Sequence, residues 1–426
     1  MKQFRLLPIL LAGYLFLLIF RPYEYWPILG EFRVERVYML CFMLVVLLSK
    51  DKHFIPNPLN GAIFLFAFVL LISGIFSLSW DASWKMIEEY LKFTVFYFMI
   101  ILCVRDEKDF RFIVLAFIGV MFFYVGKSAW EFFVNGRHTY RMEMARMIGI
   151  DLTYGDPNSF AATICYSLPV FWAMIRFQFK NKWLRFALWS YGLLALVSIV
   201  MTGSRSGMVT AIFFFIIVLL TTSRKFIGII LIAAMLIVAW HVMPDVLQTR
   251  FLSTFYQDVG PESAQQSASG RMHGFLHGVE IFLQNPVLGV GPGNYPLSWD
   301  SRMYSHNLYG QILGELGILG VTSFLFFILI LFYCNIKICK KFKYIFNFSN
   351  CNNNLSVDDK IIFTNMHRSL FFYYLIAQSI LFTLMLMFFK GWSDHNLYRY
   401  TWLWLAALTV LGHHLFYQEV KSLERS

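Results

Sequence analysis

The link Gly203-Ser204-Arg205-Ser206-Gly207 joins two apolar runs. It is short enough to hold its arginine at a membrane edge. A guanidinium fork grips phosphate oxygens at two points, and the flanking Gly and Ser residues leave backbone amides beside it for an anion. The plainer alternative is a turn with a snorkelling arginine. Arg271 stands where a helix over 271–283 is predicted to open, with Phe275, Val279 and Phe282 on one face. A cation at a helix N-terminus opposes the macrodipole, and an anionic ligand would compensate it; otherwise Arg271 is a solvated helix end. His306 precedes another apolar run, with Ser305 as a candidate N-cap. The positive end of that helix favours neutral imidazole, the form a general base needs. The alternative is an interfacial aromatic with a polar tip.

Weaker candidates surround these. Arg137, Arg141 and Arg146 could bind an anion, but they are interleaved with Glu131, Glu143 and Asp151 and read equally as a solvated charge mix. Asp156 and Asn158 either shape the mouth of a site or cap a helix opening at Pro157. His273, His277 and Glu280 would stack on one helix face as metal ligands, but the spacing is common and no acidic cluster completes a shell, so no metal is expected. Gly310, Gly314, Gly317 and Gly320 read as a small-residue face for close helix packing.

The elements that must position these residues are membrane helices. Hydrophobic residues make up 58% and charged residues 14% of the 426, and the mean hydropathy is +0.59, whereas soluble domains are about a quarter charged. A water-soluble globule, a disordered chain and a disulfide-stapled secreted domain are excluded. Apolar runs recur at 6–20, 34–48, 62–79, 91–104, 112–125, 160–177, 184–201, 208–222, 226–242, 308–333, 370–389 and 401–416. They predict an all-α polytopic protein of about twelve spans, roughly 240 residues of membrane helix. The first run lacks a small-x-small cleavage site and reads as a retained span. The net charge of +11 is spread between apolar runs, which favours lipid headgroups and phosphate-bearing substrates over nucleic acid.

Placing both termini in the cytoplasm puts lysines such as Lys337, Lys340, Lys341 and Lys343 inside, where topology anchors belong. The outer side is then rich in arginine. Long connections at 126–159 and 243–305 face outside, and a basic, Asn-rich linker at 334–369 faces inside. The 243–305 loop, between spans nine and ten, is longer than structureless connections normally are and is expected to be functional. It holds a Gln/Ser-rich stretch at 263–269 and a turn-rich segment at 285–296. The six cysteines are scattered outside the outer loops, which argues against structural disulfides.

NPVLGVGPGNY at 285–295, followed by SHNLYGQILGELGILG at 305–320, closely resembles the signature of the O-antigen ligase and polymerase family. The GSRSG link and YGDPNSFA at 154–161 resemble two further family segments. The resemblance implies an all-helical fold similar to GT-C glycosyltransferases. It also implies a metal-independent, cofactor-free enzyme in a bacterial inner membrane, moving a glycan from undecaprenyl pyrophosphate to an acceptor hydroxyl on the extracytoplasmic face. By motif position the family's arginines correspond to Arg205 and Arg271 and its histidine to His306. The acceptor is lipid A core for ligases, the growing chain for polymerases and protein for some relatives; the shared motifs do not separate these.

Physical chemistry points the same way. No nucleotide sugar exists outside the cytoplasm, so a transferase there needs a membrane-anchored, preactivated donor. Fixed guanidinium groups can stabilise the departing pyrophosphate where other enzymes use a divalent ion. A rival class is a transporter of anions or lipid-linked sugars, which would show central charges, repeated halves and broken helices. Glu315, two turns into the tenth run, is the residue that favours it.

Overall fold

The computed structural model describes residues 6–50, 53–141, 144–222, 225–242, 245–252, 262–299, 304–350 and 357–425. The chain is helical nearly throughout: α1 (Leu6–Phe20), α2 (Pro22–Tyr25), α3 (Pro27–Glu31), α4 (Val34–Leu48), α5 (Pro58–Ile75), α6 (Trp80–Cys103) and α7 (Glu107–Phe133) come first. A hairpin of β1 (Thr139–Arg141) and β2 (Met144–Arg146) pairs Thr139 with Arg146 and Arg141 with Met144. Then follow α8 (Pro157–Arg176), α9 (Lys182–Met201), α10 (Arg205–Thr221), α11 (Lys225–Val242), α12 (Asp245–Leu252), α13 (Glu262–Gln284), a 3-10 turn at Tyr295–Ser298, α14 (Leu308–Asn350), α15 (Val357–Gly391) and α16 (Thr401–Leu423).

Each apolar run of the sequence falls on one of these helices, because a lipid-embedded backbone must satisfy its own polar groups. Among the described residues, seven helices are long and apolar enough to cross a membrane. The chain is a multi-pass membrane protein. Helix α16 lies at its centre, buried continuously from Thr401 to Gly412 and packed on α6, α14 and α15.

Two local expectations are corrected, the start of α13 and the character of the 334–369 segment. Helix α13 begins at Glu262, so the Gln/Ser-rich stretch is helical and Arg271 lies well inside the helix; the macrodipole argument for its ligand does not apply. Phe275, Val279 and Phe282 are half-buried on α13, while the side that packs on α14 carries Gly274, Gly278 and Ile281. The 334–369 segment is not a loop of linker character. Helix α14 carries the lysine run to Asn350 and α15 starts at Val357; of the Asn-rich patch, residues 351–354 lie outside the described residues.

The glycines on α14 have two different roles. Gly310 meets the backbone of α13 so closely that a β-carbon there would stand 2.8 Å from the Gly274 carbonyl oxygen, and one on Gly278 would stand 2.4 Å from that of Gly310. This is the expected small-residue packing. Gly317 instead breaks the helix, with φ 59° and ψ −156°, a region essentially reserved for glycine. The turn-rich segment docks at the break. Val290 and Gly291 donate their amides to the Gly314 and Glu315 carbonyls (3.0 and 2.9 Å), and Ile318 donates to Pro286 (2.8 Å). Backbone groups freed by the break are thus re-paired within the protein, as membrane burial requires. Gly289 and Gly291, both at positive φ, permit this approach; a β-carbon on Gly289 would lie 2.4 Å from the Glu315 carbonyl carbon.

Candidate functional site

Several helix ends and connections meet at one end of the bundle. Ser204 caps α10, its Oγ accepting from the Gly207 amide at 3.2 Å. Gly203, at φ 58°, makes the turn. Arg205 therefore sits in the first turn of α10, at the positive end of that helix. The turn is held from outside. Arg146, buried, donates through Nε to the Thr202 carbonyl (2.8 Å) and through Nη2 to Asn158 Oδ1 (3.3 Å), which also accepts from Ser204 Oγ (2.8 Å). Arg146 and Asn158 thus brace the Arg205 turn.

Of the other outer-loop candidates, Asp156 caps α8 by accepting from the Asn158 amide at 2.9 Å. Capping accounts for its position, though its charge still reaches His306. Arg137 donates to the Ile150 carbonyl (3.1 Å) and lies over the Tyr25 ring, 5.4 Å from its centroid, so it ties the loop to α2. The Arg141 side chain and all of Glu143 lie outside what is described.

Arg271 on α13 is close enough to Arg205 and Asp394 to feel both charges. Burial lowers its pKa, the neighbouring Arg205 cation lowers it further, and Asp394 opposes them. Two partly buried guanidiniums that feel each other's charge make a site that gains from an anion.

His306 adopts φ 44°, a left-handed conformation that costs a non-glycine residue about 1–2 kcal/mol. It is not in the helix, and Ser305 is not the cap. Asn307 Oδ1 accepts from the amides of Tyr309 (2.9 Å) and Gly310 (3.0 Å), while Ser305 Oγ donates to the Asn307 carbonyl. The imidazole is exposed on its open side and meets the His395 ring edge-on at 5.0 Å. Its pKa is nevertheless held below the usual histidine value. The surrounding protein lowers it most, Asp394 raises it, Arg271 lowers it, and Asp156 and Lys390 act in smaller, opposite directions. Neutral imidazole is favoured, but by the desolvating protein on the ring's inner side and a neighbouring cation rather than by a helix terminus.

The last turn of α15 and the segment after it supply groups that sequence reasoning missed. Lys390 is 1% exposed, and its Nζ donates to Ser206 Oγ beside Arg205. Asp394 pairs with Arg399 at 3.4 Å, both side chains buried. Burial pushes the Asp394 carboxyl up, but Arg399, Lys390, His395 and His306 together hold it below the ordinary carboxylate range. His395, driven by burial to about 4, is neutral; Tyr304 stacks on it at 5.3 Å. The density of polar types in KGWSDHNLYR, directly after an apolar run, is the signal that could have exposed this segment.

The structure thus brings Arg205, Arg271 and His306 to one cluster with Lys390 and Asp394, braced by Arg146 and Asn158. It leaves Arg137 elsewhere. The potential metal ligands do not assemble: His277 Nδ1 contacts Glu280 at 3.1 Å and its ring stacks on Trp299 at 4.7 Å, while His273 is exposed. Among the described residues no group of three His, Cys, Asp or Glu side chains could hold a metal ion. Glu315 accepts from Tyr398 at 2.6 Å, tying the broken helix to the segment that carries Asp394 and Arg399.

No curated protein matches the chain. Residues 190–325, which carry Arg205, Arg271, the docked turn-rich segment, His306 and the break in α14, match the family model described as O-Antigen ligase, so this part of the chain is similar to that family.

Proposed function

We propose that the protein transfers a glycan from an undecaprenyl-pyrophosphate carrier to an acceptor hydroxyl, as an O-antigen ligase does. Polymerisation of lipid-linked repeat units and glycan transfer to protein are variants of the same chemistry with other acceptors. The observation that carries this reading is the convergence of Arg205, Arg271 and His306 at one end of the bundle, within the segment that matches the family. The protein lies in the bacterial cytoplasmic membrane with both termini in the cytoplasm and this end outside.

In the reaction the acceptor oxygen attacks the anomeric carbon as the bond to the pyrophosphate oxygen breaks. Attack opposite the leaving group inverts the anomeric configuration. Arg205 and Arg271 take up the charge that builds on the pyrophosphate, and α10 adds the positive end of its dipole. Lys390 adds a third cation beside Ser206. His306, neutral and open on one side, accepts the acceptor's proton or orients its hydroxyl. Guanidiniums fill the role that a divalent ion has elsewhere, so transfer is expected to be insensitive to chelators.

The break in α14 and the buried Glu315 are features that transporters share. Here the break is filled by the protein's own 286–291 backbone and Glu315 by Tyr398, so neither is left for a transported ion.

Purified protein given a lipid-pyrophosphate glycan and a panel of acceptors tests the proposal. His306→Ala should abolish transfer without lowering expression. Arg205→Lys and Arg271→Lys, which keep charge but lose the fork, should each slow transfer by about 10²–10³, the usual cost of one transition-state donor. Near-normal turnover in His306→Ala removes that residue from the mechanism, and failure of the wild type to label any acceptor removes the mechanism.

A further inference from the structure

Helix α6 opens with an unusual density of charge for a helix in a membrane bundle: Asp81, Lys85, Glu88, Glu89 and Lys92 all precede its apolar part. None of them belongs to the cluster described above. Glu88 accepts from Arg36 of α4 at 2.9 Å and pairs with Lys92 at 3.2 Å, and Glu89 pairs with Arg21 at 3.3 Å. Lys85 makes no ion pair among the described residues, and the buried Nε of Arg21 has no hydrogen-bond partner.

Two adjoining cavities open here and share Glu88 and Lys92. One, of about 160 Å³, is polar and is lined by Arg21, Glu35, Lys85 and Glu89. The other, of about 280 Å³, runs between α4 and α6 and has apolar walls of Met39, Leu40, Trp84, Leu91 and Val95, with Arg36 at its side. A polar chamber joined to an apolar groove suits an amphiphile. The lining also says which kind. Four cations (Arg21, Arg36, Lys85, Lys92) alternate with three carboxylates (Glu35, Glu88, Glu89), so a purely anionic headgroup meets repulsion from nearly half the charges. A headgroup bearing both a phosphate and an ammonium finds partners for each.

We propose that these cavities bind one zwitterionic glycerophospholipid. Its phosphate sits among Arg36, Lys85 and Lys92, its primary ammonium faces Glu35 and Glu89, and an acyl chain lies in the groove. The site is on the same face of the bundle as the Arg205 cluster. Arg21 donates to Thr153 Oγ1 at 2.9 Å and lies 5.0 Å over the Tyr154 ring, which also takes Arg399 at 4.9 Å. The lipid site stands independently of the transfer reaction.

The test is native mass spectrometry of the full chain in detergent with equal amounts of phosphatidylethanolamine and phosphatidylglycerol. One phosphatidylethanolamine should be retained in preference. Lys85→Gln, at an exposed position, should weaken retention about fivefold, the worth of one basic residue near a headgroup. Leu40→Trp, filling the groove from a lipid-exposed position, should abolish it while the thermal midpoint in lipid-free detergent stays unchanged. Equal retention of the two lipids, retention unaffected by both variants, or a polyprenyl phosphate held in their place overturns the proposal.

Discussion

His306 is a case in which the residue is predicted by one argument and explained by another. A helix terminus was expected to keep its imidazole neutral, yet His306 lies outside α14 at positive φ and owes its lowered pKa to desolvation on the ring's protein side and to Arg271, against Asp394 and Asp156. The distinction is testable by pH. A base must be deprotonated, so activity should be lost as pH falls through the His306 pKa, and that acid limb should lie below the usual histidine value of about 6.5. Arg271→Gln removes a cation that disfavours imidazolium, so the residual activity should show its acid limb moved up. Asp394→Asn removes an anion that favours imidazolium, so the limb should move down. Profiles of kcat/KM against pH in the two variants check both signs, and shifts in the same direction would assign the limb to another group.

At the scale of elements, the seam between α13 and α14 sets where Arg271 stands. Gly278 is two turns along α13 from Arg271, and its β-carbon position is occupied by Gly310 backbone. Gly278→Ala must push the helices apart by several tenths of an ångström, and displacing a positioned group by about 1 Å can cost about 10² in rate. The variant should therefore lose transfer in proportion far greater than its loss of stability. Gly317→Ala acts differently: it places a β-carbon 2.7 Å from Val287 in a conformation open only to glycine, and should destabilise the protein by about 1–3 kcal/mol, read as a lowered thermal midpoint. The helices themselves were legible because hydropathy reports directly on lipid. Their ends were not. Residues 263–269 are polar enough to resemble a loop but contain no helix breaker, so α13 extends through them. The break at Gly317 was hidden because a glycine that packs and a glycine that breaks look alike until the segment docked against it is seen. The Lys390–Arg399 segment was hidden because a short polar link between apolar runs is ordinarily just a turn, and only its burial on α8 and α10 makes it part of the site.

Across the whole molecule, positive charge concentrates at the cluster end. Arg205, Arg271, Lys390 and Arg399 converge there, and Arg399 has Asp394 at 3.4 Å, with Thr163 Oγ1 at 3.0 Å and the rings of Tyr154 and Tyr166 completing its surroundings. Removing one member of that buried pair leaves the other uncompensated, so Asp394→Ala should cost about 3–5 kcal/mol. Arg271 stands differently. Arg271 and Arg205 repel each other in the free protein, a strain of the kind that active sites hold at the expense of stability. Arg271→Gln should therefore stabilise the ligand-free protein by about 1 kcal/mol, read as a raised thermal midpoint, while impairing transfer. Inorganic pyrophosphate should stabilise the wild type, by about 2.7 kcal/mol at a hundredfold excess over its Kd, and should stabilise Arg271→Gln much less. Thermal unfolding of both proteins with and without pyrophosphate measures all four states. A variant destabilised in the free form would mean that Arg271 is a structural residue, because a guanidinium kept for a diphosphate has its stabilising partner only when the diphosphate is bound.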